Sequence, residues 1–399
     1  MNNFFKRLNE VPRGILAVGV TTLLVAISTT AAFSITPFFL KDTLGIGIVT
    51  IGFVESLTES LSQIARLISG IVSDKLKRCK PMFFLGTVFS AIAKPLLIIS
   101  NGVFLVSVSK ICDRLGNGLS AVPRDSYVAL HSTPKTKGAY IGLTMTFKTI
   151  GCVCGPFIVM AFIYVFKEVN FRYLLCLTAI PALVSIFVCQ RYMVDNGYGA
   201  QVSKSNFKLS DLAHLSAKFW IFIAIMFIFM LGRAPESYLL LNLRDSNLPE
   251  WFCAGAIGFF NLVSVFISYP AGQLADKYGC TRILLWSFVA LVAATLCFAS
   301  HSCIGGVLGV AFWGIQRASS QIISVSCIAG LVDKRLIGSA IGLMNIFIGL
   351  SNILAGYISG KIAECYQISY SYFVSFAFAA LASLLLICFI KKFDRGTAK

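Results

Sequence analysis

The chain has 399 residues, of which 57% are hydrophobic and 13% charged. Soluble domains carry about 25% charged residues, so the bulk of this chain is not folded in water. Lys and Arg outnumber Asp and Glu by 34 to 17, yet most basic residues lie in short segments between apolar runs, which excludes a domain presenting a basic face to nucleic acid.

A membrane span takes about 20 apolar residues. Hydropathy predicts twelve, over 14–38, 47–72, 81–100, 103–130, 138–166, 171–190, 218–241, 251–273, 281–299, 303–330, 338–360 and 368–390. The first is too long for a signal-peptide core and is read as a retained span. The links are short except 191–217, which is polar, contains Asn196-Gly197-Tyr198-Gly199, and reads as a linker between two halves. The expected organisation is an N-terminal segment 1–13, a six-helix bundle 14–190, the linker 191–217, a second six-helix bundle 218–390 and a tail 391–399. Lys and Arg divide 21 to 5 between the two sides of the membrane. The richer side holds both termini and the linker, so these are expected in the cytoplasm. The fold class expected is an all-α membrane protein.

The two halves repeat each other. Gly70, Asp74 and Lys75 close the second span, with Arg78 just beyond; Gly272, Asp276, Lys277 and Gly279 close the eighth, and the two aspartates are 202 positions apart. Arg114 and Arg317 are 203 apart, and Gly138, Gly142 and Leu143 recur as Gly338, Gly342 and Leu343 at an offset of 200. Three landmarks in one order predict duplicated six-helix halves, related by an axis along the membrane normal.

This pattern resembles the major facilitator superfamily of secondary transporters over nearly the whole length. The Gly70/Asp74/Lys75/Arg78 run resembles the family's loop motif between helices two and three, and Gly272/Asp276/Lys277 its second-half copy. Asp113-Arg114-Leu115-Gly116-Asn117-Gly118 resembles the fourth-helix motif, in which an arginine precedes a glycine by four. Gly151-Cys152-Val153-Cys154-Gly155-Pro156 resembles the fifth-helix motif of family exporters, with Val159 and Met160 where glycines usually follow. The resemblance implies two pseudo-symmetric six-helix bundles. It also implies a cytoplasmic lock in which the eleventh helix approaches Gly70, Asp74 meets the start of that helix near Gly338, and Arg78 pairs with Asp125. A glycine permits the approach and a helix N-terminus attracts the carboxylate. Cys280 stands in the second copy where the first has Arg78, so the lock is expected to be weaker there. Gly118, Gly151, Gly155, Pro156, Gly356 and Gly360 are expected to set helix packing or hinges, the proline by leaving a carbonyl unpaired.

Ionisable groups within spans normally face a cavity or a partner. At about 1.5 Å per residue, Glu59 lies about 18 Å along the second span, with Glu55 one turn away on the same face. Asp113 and Arg114 lie about 15–17 Å into the fourth span, Lys148 about 15 Å into the fifth and Arg317 about 21 Å into the tenth. Arg233 and Glu236 are spaced to neutralise each other. Asp113 and Arg114 are adjacent and face apart, so each needs another partner. Glu55, Glu59, Asp113, Arg114, Lys148, Arg233, Glu236 and Arg317 are therefore the candidates for substrate binding or proton coupling. Lys94, before Pro95, reads as snorkelling to the interface, and Arg66 and Arg124 as gate or loop residues. In the family, helices one, four, seven and ten line the cavity most closely, which the resemblance makes net positive here.

No Walker loop is present, and His131, His214 and His301 build no catalytic or zinc pattern. Cys152 and Cys154 lack the further ligands a metal site needs. The expectation is a non-enzymatic secondary transporter without cofactor, working by alternating access on a small solute with protons as coupling ion. An organic anion or metabolite and a drug-efflux cargo both stand open; a receptor or scaffold of the same fold is the rival of another class. The chain is expected to act as a monomer in the lipid bilayer, bind no nucleic acid, and reside in a cell membrane of bacterial type, because its loops are short and it has no glycosylation sequon.

Overall fold

The computed structural model describes residues 11–76, 78–133, 136–167, 170–194, 215–332 and 336–394. Apart from short links they form helices: α1 Arg13–Phe38, extended by a π turn Phe39–Thr43; α2 Ile48–Leu76; α3 Lys80–Ile98; α4 Val103–Leu130; α5 Lys137–Phe166; α6 Phe171–Tyr192; α7 Ala217–Leu231; α8 Glu236–Asp245; α9 Glu250–Tyr278; α10 Cys280–Ala299; α11 Cys303–Leu331; α12 Ile337–Cys365; and α13 Ile368–Asp394. The twelve predicted spans are all present. Among the described residues, nine segments are apolar and long enough to cross a membrane on composition alone; α2, α4 and α11 are not among them. Most of the predicted N-terminal segment, linker and tail lies outside the described residues.

The seventh span differs from its prediction. It is two helices, because Pro235 has no N–H to donate and disfavours helical backbone in the residue before it. α7 stops at Leu231, and Pro235, at ψ 142, starts α8. The break places Arg233 in a non-helical link and Glu236 in the first turn of α8, where a carboxylate is favoured by the helix dipole.

The described residues form two compact units. Unit 1 comprises 11–44 and 61–194, and unit 2 comprises 45–60 and 215–394. In unit 1, α1 packs on α5 and α6, and α3 on α4 and α6. In unit 2, α7 packs on α12 and α13, and α10 on α11 and α13. Counted as spans, the first unit pairs 1–5, 1–6, 3–4 and 3–6, and the second pairs 7–11, 7–12, 9–10 and 9–12. The sequence repeat is thus a repeat of packing.

Small residues allow this packing. A Cβ on Gly86 of α3 would lie 2.6 Å from Gly116 O of α4. Gly151 and Gly155 set α5 against α1, where a Cβ would lie 2.6 Å from Leu23 O and 2.5 Å from Ile27 O. Within unit 2, the first half of α2 lies on α12: Ser60 Oγ donates to Gly349 O at 2.7 Å, and a Cβ on Gly356 would sit 2.9 Å from Gly52 O. Gly360 meets Val49 Cα at 3.0 Å in the same way. Outward-facing Phe187, Trp286 and Leu384 are 61–69% exposed, an apolar surface suited to lipid rather than water.

Candidate substrate and coupling sites

In unit 1, the polar and charged residues of α4 include Lys110, Asp113, Arg114, Asn117 and Arg124. Lys94 Nζ of α3 donates to Asp113 Oδ1 at 2.6 Å, and Thr29 Oγ1 of α1 donates to the same oxygen at 3.1 Å. Lys94 is 3% exposed, so it does not snorkel to the interface. Its stem is too deeply covered, and an aspartate lacking a partner on its own helix draws it inward. Phe33 of α1 carries two cations on its ring, with Arg114 Cζ 5.0 Å and Lys110 Nζ 5.9 Å from the centroid, a favourable arrangement with the ring quadrupole. Asp113 and Arg114 thus have separate partners, as their adjacency requires.

Lys148 of α5 has Arg66, Arg124 and Asp125 as charged neighbours. Arg124 is buried, and its Nε donates to Asp125 Oδ1 at 2.8 Å; it is not a loop residue. Among its described residues, unit 1 holds Arg66, Lys94, Lys110, Arg114, Arg124 and Lys148 within its spans, with Asp113 and Asp125.

Unit 2 is balanced differently. Glu236 Oε1 accepts from Arg233 Nη2 at 3.0 Å and also from Arg317 Nη1. The i, i+3 pair expected from sequence is therefore a three-residue bridge across α8 and α11. Each arginine also lies over a ring, Arg233 Cζ 5.7 Å from the Trp313 centroid and Arg317 Cζ 5.3 Å from that of Phe260. Glu55 and Glu59 of α2 are charged neighbours of Arg233, and Glu55 Oε1 accepts from Ser237 N at 3.3 Å. Among the described residues of unit 2, two embedded cations thus face three acids.

The expected Arg78–Asp125 pair is not formed. Asp125 is taken by its neighbour Arg124, and Arg78 lines a cavity of about 340 Å³ with Lys80, Pro81, Phe84 and Gln190. Gly70 faces Val122 of α4, at 3.4 Å for a built Cβ, and a Cβ on Gly272 would meet nothing within 4 Å among the described residues. Gly118 marks a close approach within unit 1: its Cβ would lie 2.5 Å from Ser62 O. The side chains of Asp74 and of the α12 start around Gly338 lie outside those described. Lys75, Asp276 and Lys277 are exposed, with Lys277 Nζ 5.2 Å from the Tyr278 ring. Gly279 adopts φ +94, which ends α9 and lets α10 begin at the next residue; such a backbone is open to glycine at little cost.

Sequence reasoning missed Lys94, Thr29 and Phe33 as partners, and Arg172. That arginine joins the start of α6 to the end of α3 by donating to Ile98 O, Ser100 O and Asn101 Oδ1 at 2.7, 3.0 and 2.7 Å. The unpartnered Asp113 was the signal that pointed to Lys94. Nothing in the sequence marked Phe33 or Arg172 apart from other aromatic and loop residues.

Comparison with known proteins agrees with this architecture. The profile of the Major Facilitator Superfamily matches residues 18–299 and 245–398. An uncharacterized MFS-type transporter of Methanocaldococcus jannaschii is 25% identical, over 88% of each chain. The agnestins efflux protein of Paecilomyces divaricatus is 25% identical, over 69% of this chain and 62% of its own. Among solved structures, a variant of the nucleoside transporter NupG superposes with a TM-score of 0.80 at 14% identity, covering 94% of this chain and 99% of its own. A family profile matching both halves, on a duplicated bundle of twelve spans, makes this chain a member of the major facilitator superfamily, a membrane transporter.

Proposed function

We propose that the chain carries a small organic anion across a cell membrane by proton-coupled alternating access, as a monomer with both termini in the cytoplasm. The observation that supports this is the placement of Lys110 and Arg114 of α4 over the Phe33 ring of α1, two cations on one aromatic side chain within the spans of unit 1. Ionisable groups within spans normally face a cavity or a partner, and two cations side by side suit an anionic group on the cargo. Lys110 and Arg114, flanking Phe33, are the pair that would receive the anion, with Lys94 held on Asp113. Glu236 would couple protons, because a proton there weakens its bonds to Arg233 and Arg317 together. Glu55, Glu59 and Asp113 are the other acids that would exchange protons. Gly70, Asp74, Lys75, Arg78 and Asp125, with Gly272, Asp276 and Lys277, would form the cytoplasmic gate when the transporter changes state. The test is uptake of organic anions into proteoliposomes with and without an imposed pH gradient. The reading predicts uptake stimulated by the gradient in the native chain and altered in Glu59→Gln or Asp113→Asn; uptake indifferent to the gradient removes the coupling.

A second reading, drug efflux, is favoured by the efflux relative and by Gly151, Gly155 and Pro156 in α5. Sidedness distinguishes the two: export predicts accumulation in inside-out vesicles of lipophilic cations, import of anions does not. A chain of this fold that binds a ligand without any flux would instead be a receptor.

A further inference from the structure

Three cations gather around one carboxylate in the half of unit 1 that leads to the Leu130 end of α4. Arg66 comes from α2, Arg124 from α4 and Lys148 from α5. The packing of α4 on α2 brings the first two close: at Gly118 a Cβ would lie 2.6 Å from Ala65 Cβ and 3.3 Å from Arg66 N. Arg124 Nη2 lies 3.8 Å from Met145 Sδ, three residues before Lys148 on α5. Asp125 occupies Arg124 Nε, whereas Arg66 Nε is buried with no hydrogen-bond partner among the described residues. Among the described residues, one acid faces three cations here, an excess of two positive charges. Guanidinium groups present forked donors that match the oxygens of phosphate and carboxylate.

This cluster is not the Lys110/Arg114 pair. Arg124 lies ten residues beyond Arg114, about 15 Å along the helix. We propose that Arg66, Arg124 and Lys148 form a second anion station, which accepts a doubly charged oxyanion: a phosphate monoester or the paired carboxylates of a dicarboxylate. The station deepens the proposed function, resting on the reading that the cargo is an anion, and gives that anion a second stop along α4. Its charge of two selects against monocarboxylates, which would leave one cation unmatched.

Equilibrium binding of radiolabelled inorganic phosphate to the purified full-length chain, at ionic strength held constant with chloride, tests the station. The expected result is saturable binding by the native chain. Lys148→Gln and Arg66→Gln should each weaken it about tenfold, the effect of losing one charge-assisted contact. Lys148→Arg keeps the charge and should keep the binding, which separates loss of the site from loss of folding. Arg114→Gln should weaken phosphate binding less than Lys148→Gln does, while reducing anion uptake in proteoliposomes at least about tenfold. No saturable binding by the native chain overturns the station, as does equal dependence on Arg114 and Lys148. Uptake unchanged in Arg114→Gln overturns the proposed cargo instead, so the two failures are told apart.

Discussion

Lys94 and Asp113, on neighbouring helices of unit 1, form an ion pair of 2.6 Å with 3% and 14% of their side chains exposed. Burying either charge alone is costly, and removing one partner strands the other. Lys94→Met should therefore destabilise the chain by about 3–5 kcal/mol. Asp113→Leu added to it should recover much of the loss. The thermal midpoint of aggregation in detergent, followed by size-exclusion chromatography, measures both; equal stability of Lys94→Met and the native chain contradicts the pairing.

The shared carboxylate of Glu236 gives a second prediction. Glu236→Gln keeps the shape and removes the charge that both Arg233 and Arg317 meet. Substrate exchange across proteoliposomes at equal pH should persist, while accumulation driven by a pH gradient should fall to the ungradiented level. Retention of gradient-driven accumulation would place coupling elsewhere.

Two glycines of the sequence motifs should respond oppositely. Gly118→Ala forces a methyl group against Ser62 O and Ala65 Cβ, an overpacking that costs about 1–3 kcal/mol. Gly272→Ala adds a methyl group to open space inside α9, where the gain in helix propensity is about 1 kcal/mol. Thermal midpoints should fall in the first and hold or rise in the second.

Arg172 ties α6 to the end of α3 through three acceptors, and its guanidinium lies 5.5 Å from the Phe39 centroid. Arg172→Ala should lower stability by about 1–3 kcal/mol without changing the concentration dependence of uptake. A change in apparent affinity with unchanged stability would give this residue a role in the pathway instead.

The helices were legible because twenty-residue apolar runs leave the backbone no alternative within lipid, and the repeat was legible because Asp74/Asp276 and Arg114/Arg317 keep their offset. The break in the seventh span was written in Gly232 and Pro235, but the apolar run hid it. Partners were less legible. Asp113 and Arg114 declared a need by being adjacent, yet Lys94 and Phe33 became visible as answers only once the rotations of α3 and α1 were fixed. Arg78 and Asp125 show the reverse: a pairing implied by family resemblance gave way to the nearer Arg124.

The claim that unit 1 receives an anion is tested most directly by counterflow in proteoliposomes loaded with organic anions, neutral solutes or lipophilic cations, comparing the native chain with Arg114→Gln. The account predicts exchange of anions alone, reduced at least about tenfold by the substitution, the loss expected for one charged contact. Exchange of cations by the native chain, or anion exchange unchanged in Arg114→Gln, would contradict it.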